Sequence, residues 1–186
     1  MAYHSALKEE EPIAGELSEW SADGSVVFEW DITRGVHPYF RRADALYSEP
    51  SWRQGYPKFL KRAGADGSSD FAEYLTMLQQ VIFELALPSY VVMGKHMLKA
   101  LAPPLTAPVD IHSYGGLVGV WNAETPPETV DDIGALVNWV CEQHETVLDP
   151  CCGYGNVAAH AQRFVCADIN RKCVYYVAKR YLGYDG

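Results

Sequence analysis

No run of 18 consecutive apolar residues occurs in this 186-residue chain, and no basic-then-apolar leader opens it. Neither a membrane-spanning helix nor a secretory signal is therefore expected. Cysteine is sparse and odd in number, at Cys141, Cys151, Cys152, Cys166 and Cys173. Five thiols in a chain that is 48% hydrophobic read as reduced residues of a core-forming, cytoplasmic protein, not as a disulfide scaffold. Cations are missing altogether between Lys99 and Arg163, and residues 1–31 carry eight acids against the single base Lys8. With a net charge of −9, this excludes a protein that coats nucleic acid over its whole surface. The histidines His37, His96, His112 and His160 stand at no triad or metal-ligand spacing, so no metal site is expected.

The basic residues that are present gather at Arg41, Arg42, Arg53, Lys58, Lys61 and Arg62, opposed there by Asp44 and Glu49. A local positive patch on an acidic body suits a phosphate-bearing substrate such as nucleic acid. An ordinary solvated helix face has the same composition, and charge alone leaves both readings open.

Along the chain, residues 1–24 form an acidic arm or short helix closed by the turn Ala22-Asp23-Gly24, and residues 25–186 form a single domain. Short β-branched and aromatic runs predict strands over residues 25–30, 43–47 and 89–94. Two more are expected at 109–112 and 117–121, on either side of Gly115-Gly116. Apolar residues at three- and four-residue spacing predict helices over 71–85, from Thr129 or Asp131 to 143, and over 171–181. Between Tyr47 and Trp52 the chain leaves a strand through Ser48-Glu49-Pro50-Ser51, where the proline ends regular pairing. Strands alternating with helices, with one hairpin, make an α/β fold with a mostly parallel sheet.

The most informative stretch is Val147-Leu148-Asp149-Pro150-Cys151-Cys152-Gly153-Tyr154-Gly155-Asn156, followed by Phe164-Val165-Cys166-Ala167-Asp168. It reads as strand, glycine turn, short helix, strand and terminal carboxylate. In that arrangement a backbone turn approaches a nucleoside cofactor and the acid holds ribose hydroxyls. The acid lies 13 residues beyond Gly155, nearer than the roughly 20 of dinucleotide folds, and the third glycine of their fingerprint is absent. Adjacent Cys151 and Cys152 have the wrong spacing for a zinc pair and read as small residues lining the turn. A cytosine-C5 nucleophile would follow a proline, and Cys151, which does, belongs to that turn.

These motifs, in this order, resemble the amino-group DNA methyltransferases that use S-adenosylmethionine, in their circularly permuted form. The late half matches as Asp149-Pro150-Cys151-Cys152-Gly153-Tyr154-Gly155, then Cys166-Ala167-Asp168-Ile169-Asn170, then Lys179-Arg180-Tyr181-Leu182. The early half matches as Glu49-Pro50-Ser51-Trp52 in place of an Asp-Pro-Pro-Trp loop, with Ser48 as an alternative first member. The resemblance spans residues 26–181. It implies a Rossmann-like methyltransferase fold, a seven-stranded and mostly parallel sheet with one antiparallel edge strand. Residues 25–122 would form the catalytic half and 129–186 the cofactor half.

The resemblance further implies S-adenosylmethionine as cofactor, held by Asp149, Pro150, Cys151, Gly153, Gly155, Asp168 and Ile169. Asp168 would take the ribose hydroxyls, and Ile169 would rest on the adenine. Glu49 and the carbonyl of Pro50 would accept hydrogen bonds from an exocyclic amine, adenine N6 or cytosine N4, while Trp52 stacks on the base. DNA is the implied partner, bound through the Arg41–Arg62 patch. No sizeable target-recognition segment lies between Pro103 and Glu128, so a protein partner supplying recognition is also implied. Two alternatives stay open: a methyltransferase acting on RNA or another amine, and a non-catalytic subunit of methyltransferase-like fold.

Overall fold

Alternation of side chains along the apolar runs decides the architecture. The computed structural model describes residues 15–50, 71–94, 109–110 and 116–186. Its strands are β1 (Glu19–Ala22), β2 (Ser25–Glu29), β3 (Ala45–Ser48), β4 (Ser89–Gly94), β5 (Val109–Asp110), β6 (Gly116–Trp121), β7 (Thr146–Asp149) and β8 (Arg163–Asp168). The helices are α1 (Phe71–Leu85), α2 (Ile133–Gln143) and α3 (Arg171–Tyr181). All eight strands join one sheet in the order β1-β2-β8-β7-β3-β4-β6-β5. From β2 to β4 every neighbouring pair is parallel, and β6 is antiparallel to both β4 and β5.

Successive residues of a strand face opposite sides of the sheet. Val27, Tyr47, Val147 and Cys166 pack with α2 and α3 on one side. Phe28, Leu46, Leu148 and Ala167 pack with α1 on the other, together with two 3-10 turns, Ile32–Arg34 and Pro38–Arg42. Both faces are covered, which is why these strands read as continuous apolar runs and not as alternating ones.

Three details differ from expectation. The seven expected strands are joined by an eighth, β1, because residues 19–22 of the acidic arm form a hairpin with β2 and not a helix. Asp23 (φ 51°) and Gly24 (φ 82°) supply the two left-handed positions that such a two-residue turn needs. Trp20 anchors the strand, its ring 4.7 Å from that of Tyr184 and its indole N–H donating to the Leu182 carbonyl at 3.2 Å. The sheet thus has two reversed strands, β1 at an edge and β6 inside. Helix α2 begins later than expected, because Asp132 caps it: Oδ1 accepts from the Ala135 amide at 2.7 Å.

The segment after the glycine turn is a string of turns and not a regular helix. It holds single-turn bonds, Ala159 N to Gly155 O at 3.0 Å, His160 N to Val157 O at 3.0 Å and Ala161 N to Val157 O at 2.8 Å. Five residues between Gly155 and Ala161 give too few bonds to offset helix nucleation.

Candidate cofactor and substrate site

The late strands of the chain sit in the middle of the sheet. β7 lies between β8 and β3, so the chain steps to one side from β7 to β8 and to the other side from β3 to β4. The β7/β3 boundary is therefore the point where strand order reverses, and in open α/β sheets ligands bind in the crevice beyond the carboxyl ends there. Three carboxylates end the three strands at this edge: Asp149 on β7, Asp168 on β8 and Glu49 just after β3.

Asp168 is 2% exposed. Its Oδ2 accepts from the Gly153 amide and its Oδ1 from the Asn170 amide, both at 2.8 Å. The carboxylate thereby joins the glycine turn to the start of α3, where Asn170 caps the helix by accepting from the Lys172 amide at 3.0 Å. Burial pushes its pKa up to about 6, and the two amide donors act against that rise. Asp149 is buried as well, and its Oδ1 accepts from the Cys151 amide at 3.2 Å. Burial holds Asp149 well above the usual carboxylate range, and the neighbouring charges of Glu49 and Asp168 push the same way.

The turn itself is built by glycine. Gly153 (φ 51°) and Gly155 (φ 92°) are both left-handed, which other residues adopt only at a cost. They differ in surroundings. A side chain at Gly155 would meet Tyr181 Cε2 at 3.0 Å and Val177 Cγ2 at 3.1 Å, whereas one at Gly153 would meet none of the described residues within 4 Å. Gly155 lets the turn pack on α3, and among the described residues nothing crowds Gly153.

Pro150 is buried, Cys151 is half-buried with its Sγ 3.5 Å from the Tyr74 hydroxyl, and Ile169 packs from the rim onto the α1-side core. Burial drives the thiols of Cys151 and Cys166 up, and Cys152 is driven up by its hydrogen bond to Cys166 and by burial. None of them is a ready thiolate nucleophile. Among the described residues no group of three His, Cys, Asp or Glu side chains is arranged to hold a metal.

Glu49 is half-buried and Pro50 is buried behind it. The Glu49 Oε2 accepts a hydrogen bond from Asn156 Nδ2, in the residue that directly follows Gly155. This contact brings the early and late motifs together across 107 residues of sequence. Asn156 carries no sequence signal for the role beyond its position after the glycine pair. Of the basic patch, Arg41 pairs with Glu84 at 2.9 Å, and the Arg42 guanidinium lies 4.3 Å from the centre of the Tyr39 ring. Trp52, Arg53, Lys58, Lys61 and Arg62 lie outside the described residues.

No protein-family model matches the chain. No curated protein matches it either. The likeness is to solved structures. One is the M1.HpyAVI–SAM complex, with a TM-score of 0.48 at 11% identity, covering 83% of this chain and 98% of that one. Another is TTHA0409 of Thermus thermophilus, assigned as a DNA modification methylase, with a TM-score of 0.45 at 14% identity over 75% of this chain and 85% of that one. The same protein complexed with S-adenosyl-L-methionine gives a TM-score of 0.43 at 10% identity, over 75% and 87%.

Proposed function

We propose that this chain transfers a methyl group from S-adenosylmethionine to the exocyclic amine of a base in DNA, adenine N6 or cytosine N4. The observation that carries the reading is the contact of Glu49 with Asn156, beside the glycine turn whose Gly153 amide donates to Asp168, at the carboxyl edge where strand order reverses. The central position of the late strands β7 and β8 is also what a circularly permuted motif order requires.

The residues present fit the cofactor. Each Asp168 oxygen already takes one backbone N–H, and a carboxylate oxygen has a second acceptor position for a ribose hydroxyl. Among the described residues nothing crowds Gly153, which leaves room for a ligand against the backbone. Pro150, Cys151, Gly155 and Ile169 complete the wall, and Asp149 keeps the turn in shape through the Cys151 amide. Bound S-adenosylmethionine supplies an electrophilic methyl carried on a sulfonium.

The chain's own groups handle the amine. An exocyclic amine is a weak nucleophile because its lone pair is delocalised into the ring. Glu49 and the Pro50 carbonyl accept its two N–H bonds, draw the nitrogen toward tetrahedral geometry and leave the lone pair aimed outward. Glu49 is also an acceptor for the proton the amine sheds as the N–C bond forms. Trp52 stacks on the base, which leaves the duplex to reach the site. Arg41, Arg42, Arg53, Lys58, Lys61 and Arg62 provide phosphate contacts, and a protein partner supplies target recognition.

A second reading, a non-catalytic subunit of the same fold, draws support from one observation: the Glu49 carboxylate is already engaged by Asn156. Methyl transfer from labelled cofactor, with single-stranded DNA, duplex DNA and RNA competing for one preparation, separates the readings. Preferential labelling of DNA supports the proposal. Preferential labelling of RNA gives the substrate to RNA, and no labelling by a preparation that binds cofactor favours the subunit.

A further inference from the structure

We infer that Asn156 is a positioning residue for Glu49, one that couples the cofactor turn to the amine-binding carboxylate. The inference rests on the methyltransferase reading above. A glutamate has one more rotatable bond than the aspartate of the family loop, so its carboxylate covers a wider volume unless something holds it. The Asn156 Nδ2 donates to Oε2, and since the acceptor is a carboxylate, the amide orientation is fixed by chemistry.

Asn156 is itself well held. Val157 is fully buried, Ala158 nearly so, the Gly155 amide donates to the Cys152 carbonyl at 2.9 Å, and the Asn156 carbonyl meets His160 Nδ1 at 3.0 Å. A rigid turn thus presents the amide to the longer acid. The bond from Asn156 takes one of the roughly four acceptor positions of a carboxylate. A carboxamide NH2 is moreover the same kind of donor as an exocyclic base amine. In the resting site Glu49 accepts the type of bond the reaction asks of it, and Asn156 restores to a glutamate the placement that a shorter aspartate has from its own length.

The test is a double-mutant cycle on the intact chain, reading the single-turnover methylation rate and the calorimetric Kd for S-adenosylmethionine. Asn156→Ala is expected to slow the rate about tenfold or more, the scale of a sub-ångström to 1 Å misplacement, with Kd changed less than about threefold. Asn156→Gln, which keeps the donor, recovers part of the loss. In a Glu49→Ala background, removing Asn156 has no further effect on rate. An equal loss in both backgrounds, or a Kd that worsens in step with the rate, overturns the inference and makes Asn156 a part of the cofactor turn alone. A wild-type chain with no transferase activity sinks the methyltransferase reading, and the contact is then read without activity from the Asn156 side-chain amide protons. Slow exchange and a shift on Glu49→Ala support positioning whatever the reaction. Solvent-rate exchange and no shift overturn it.

Discussion

Asp168 carries two opposed demands, since burial disfavours its charge while a ribose would need that charge. Its pKa near 6 lies above the ordinary 3.8, so the folded chain binds a proton between those values that the unfolded chain does not. The sign follows. This acid's contribution to stability is full below about pH 3.8 and is lost as pH rises through about 6. Ligand hydroxyls donating to the carboxylate favour the charged form. The Kd for S-adenosylmethionine is therefore expected to be flat above about pH 7 and to weaken toward tenfold per unit below about 6. Asp168→Asn should weaken binding about tenfold to a hundredfold, the loss of a charge-assisted hydrogen bond, and should flatten that profile. Calorimetry from pH 5 to 8 checks both, and parallel profiles for the two proteins would remove Asp168 from the ribose.

The two glycines divide stability from binding at the same scale. Gly155→Ala combines a φ of 92° with contacts of 3.0 to 3.2 Å to Tyr181, Val177 and Ala158. It should cost about 2 to 4 kcal/mol in urea unfolding. Gly153→Ala meets no atom of the described residues, and its left-handed φ is strained at about 1 to 2 kcal/mol. If the uncrowded side of Gly153 receives the cofactor, that milder variant should lose more affinity than stability. An unchanged Kd would locate the ligand elsewhere.

Between elements, the pairing of β3 with β7 builds the site, and Asp44 secures its far end. The Asp44 side chain accepts from the amides of Glu145 at 3.1 Å and Thr146 at 3.0 Å, and its own amide donates to the Thr146 carbonyl at 2.9 Å. Asp44→Ala should destabilise the fold by about 1 to 3 kcal/mol. Cofactor affinity should stay nearly unchanged, because these bonds lie at the amino ends of the strands. A large change in Kd with little change in unfolding would contradict this. Strands and helices of this kind are legible because their signals are local: Val26-Val27-Phe28 for β2, or the spacing of Tyr74, Leu78 and Ile82 along α1. Asp44 is legible only as a charge. Its role depends on which strand lies next to β3, and nothing within residues 43–50 encodes that neighbour.

Across the whole molecule, the glycine turn and Asp168 can be read directly, since turn and acid lie within one βαβ-like unit. The Glu49–Asn156 contact cannot. It spans 107 residues and exists only once β7 is inserted beside β3. The arm misleads for a similar reason: β1 gains its hydrogen bonds from β2 and its anchor from Tyr184 at the opposite end of the chain. A sheet that takes early strands from one part of the chain and central strands from another makes its site at the seam.

The most direct measurement of the central claim is the chemical identity of the product. Purified chain and S-adenosylmethionine would be incubated with unmethylated DNA, single-stranded and duplex, and the digested nucleosides identified by mass spectrometry. N6-methyladenine or N4-methylcytosine is expected from the wild type. In Glu49→Ala the product should fall at least about a hundredfold, with cofactor affinity retained. Equal product from wild type and Glu49→Ala would contradict amine methylation at Glu49, as would a cofactor-binding wild type that leaves every base of both DNAs unmodified.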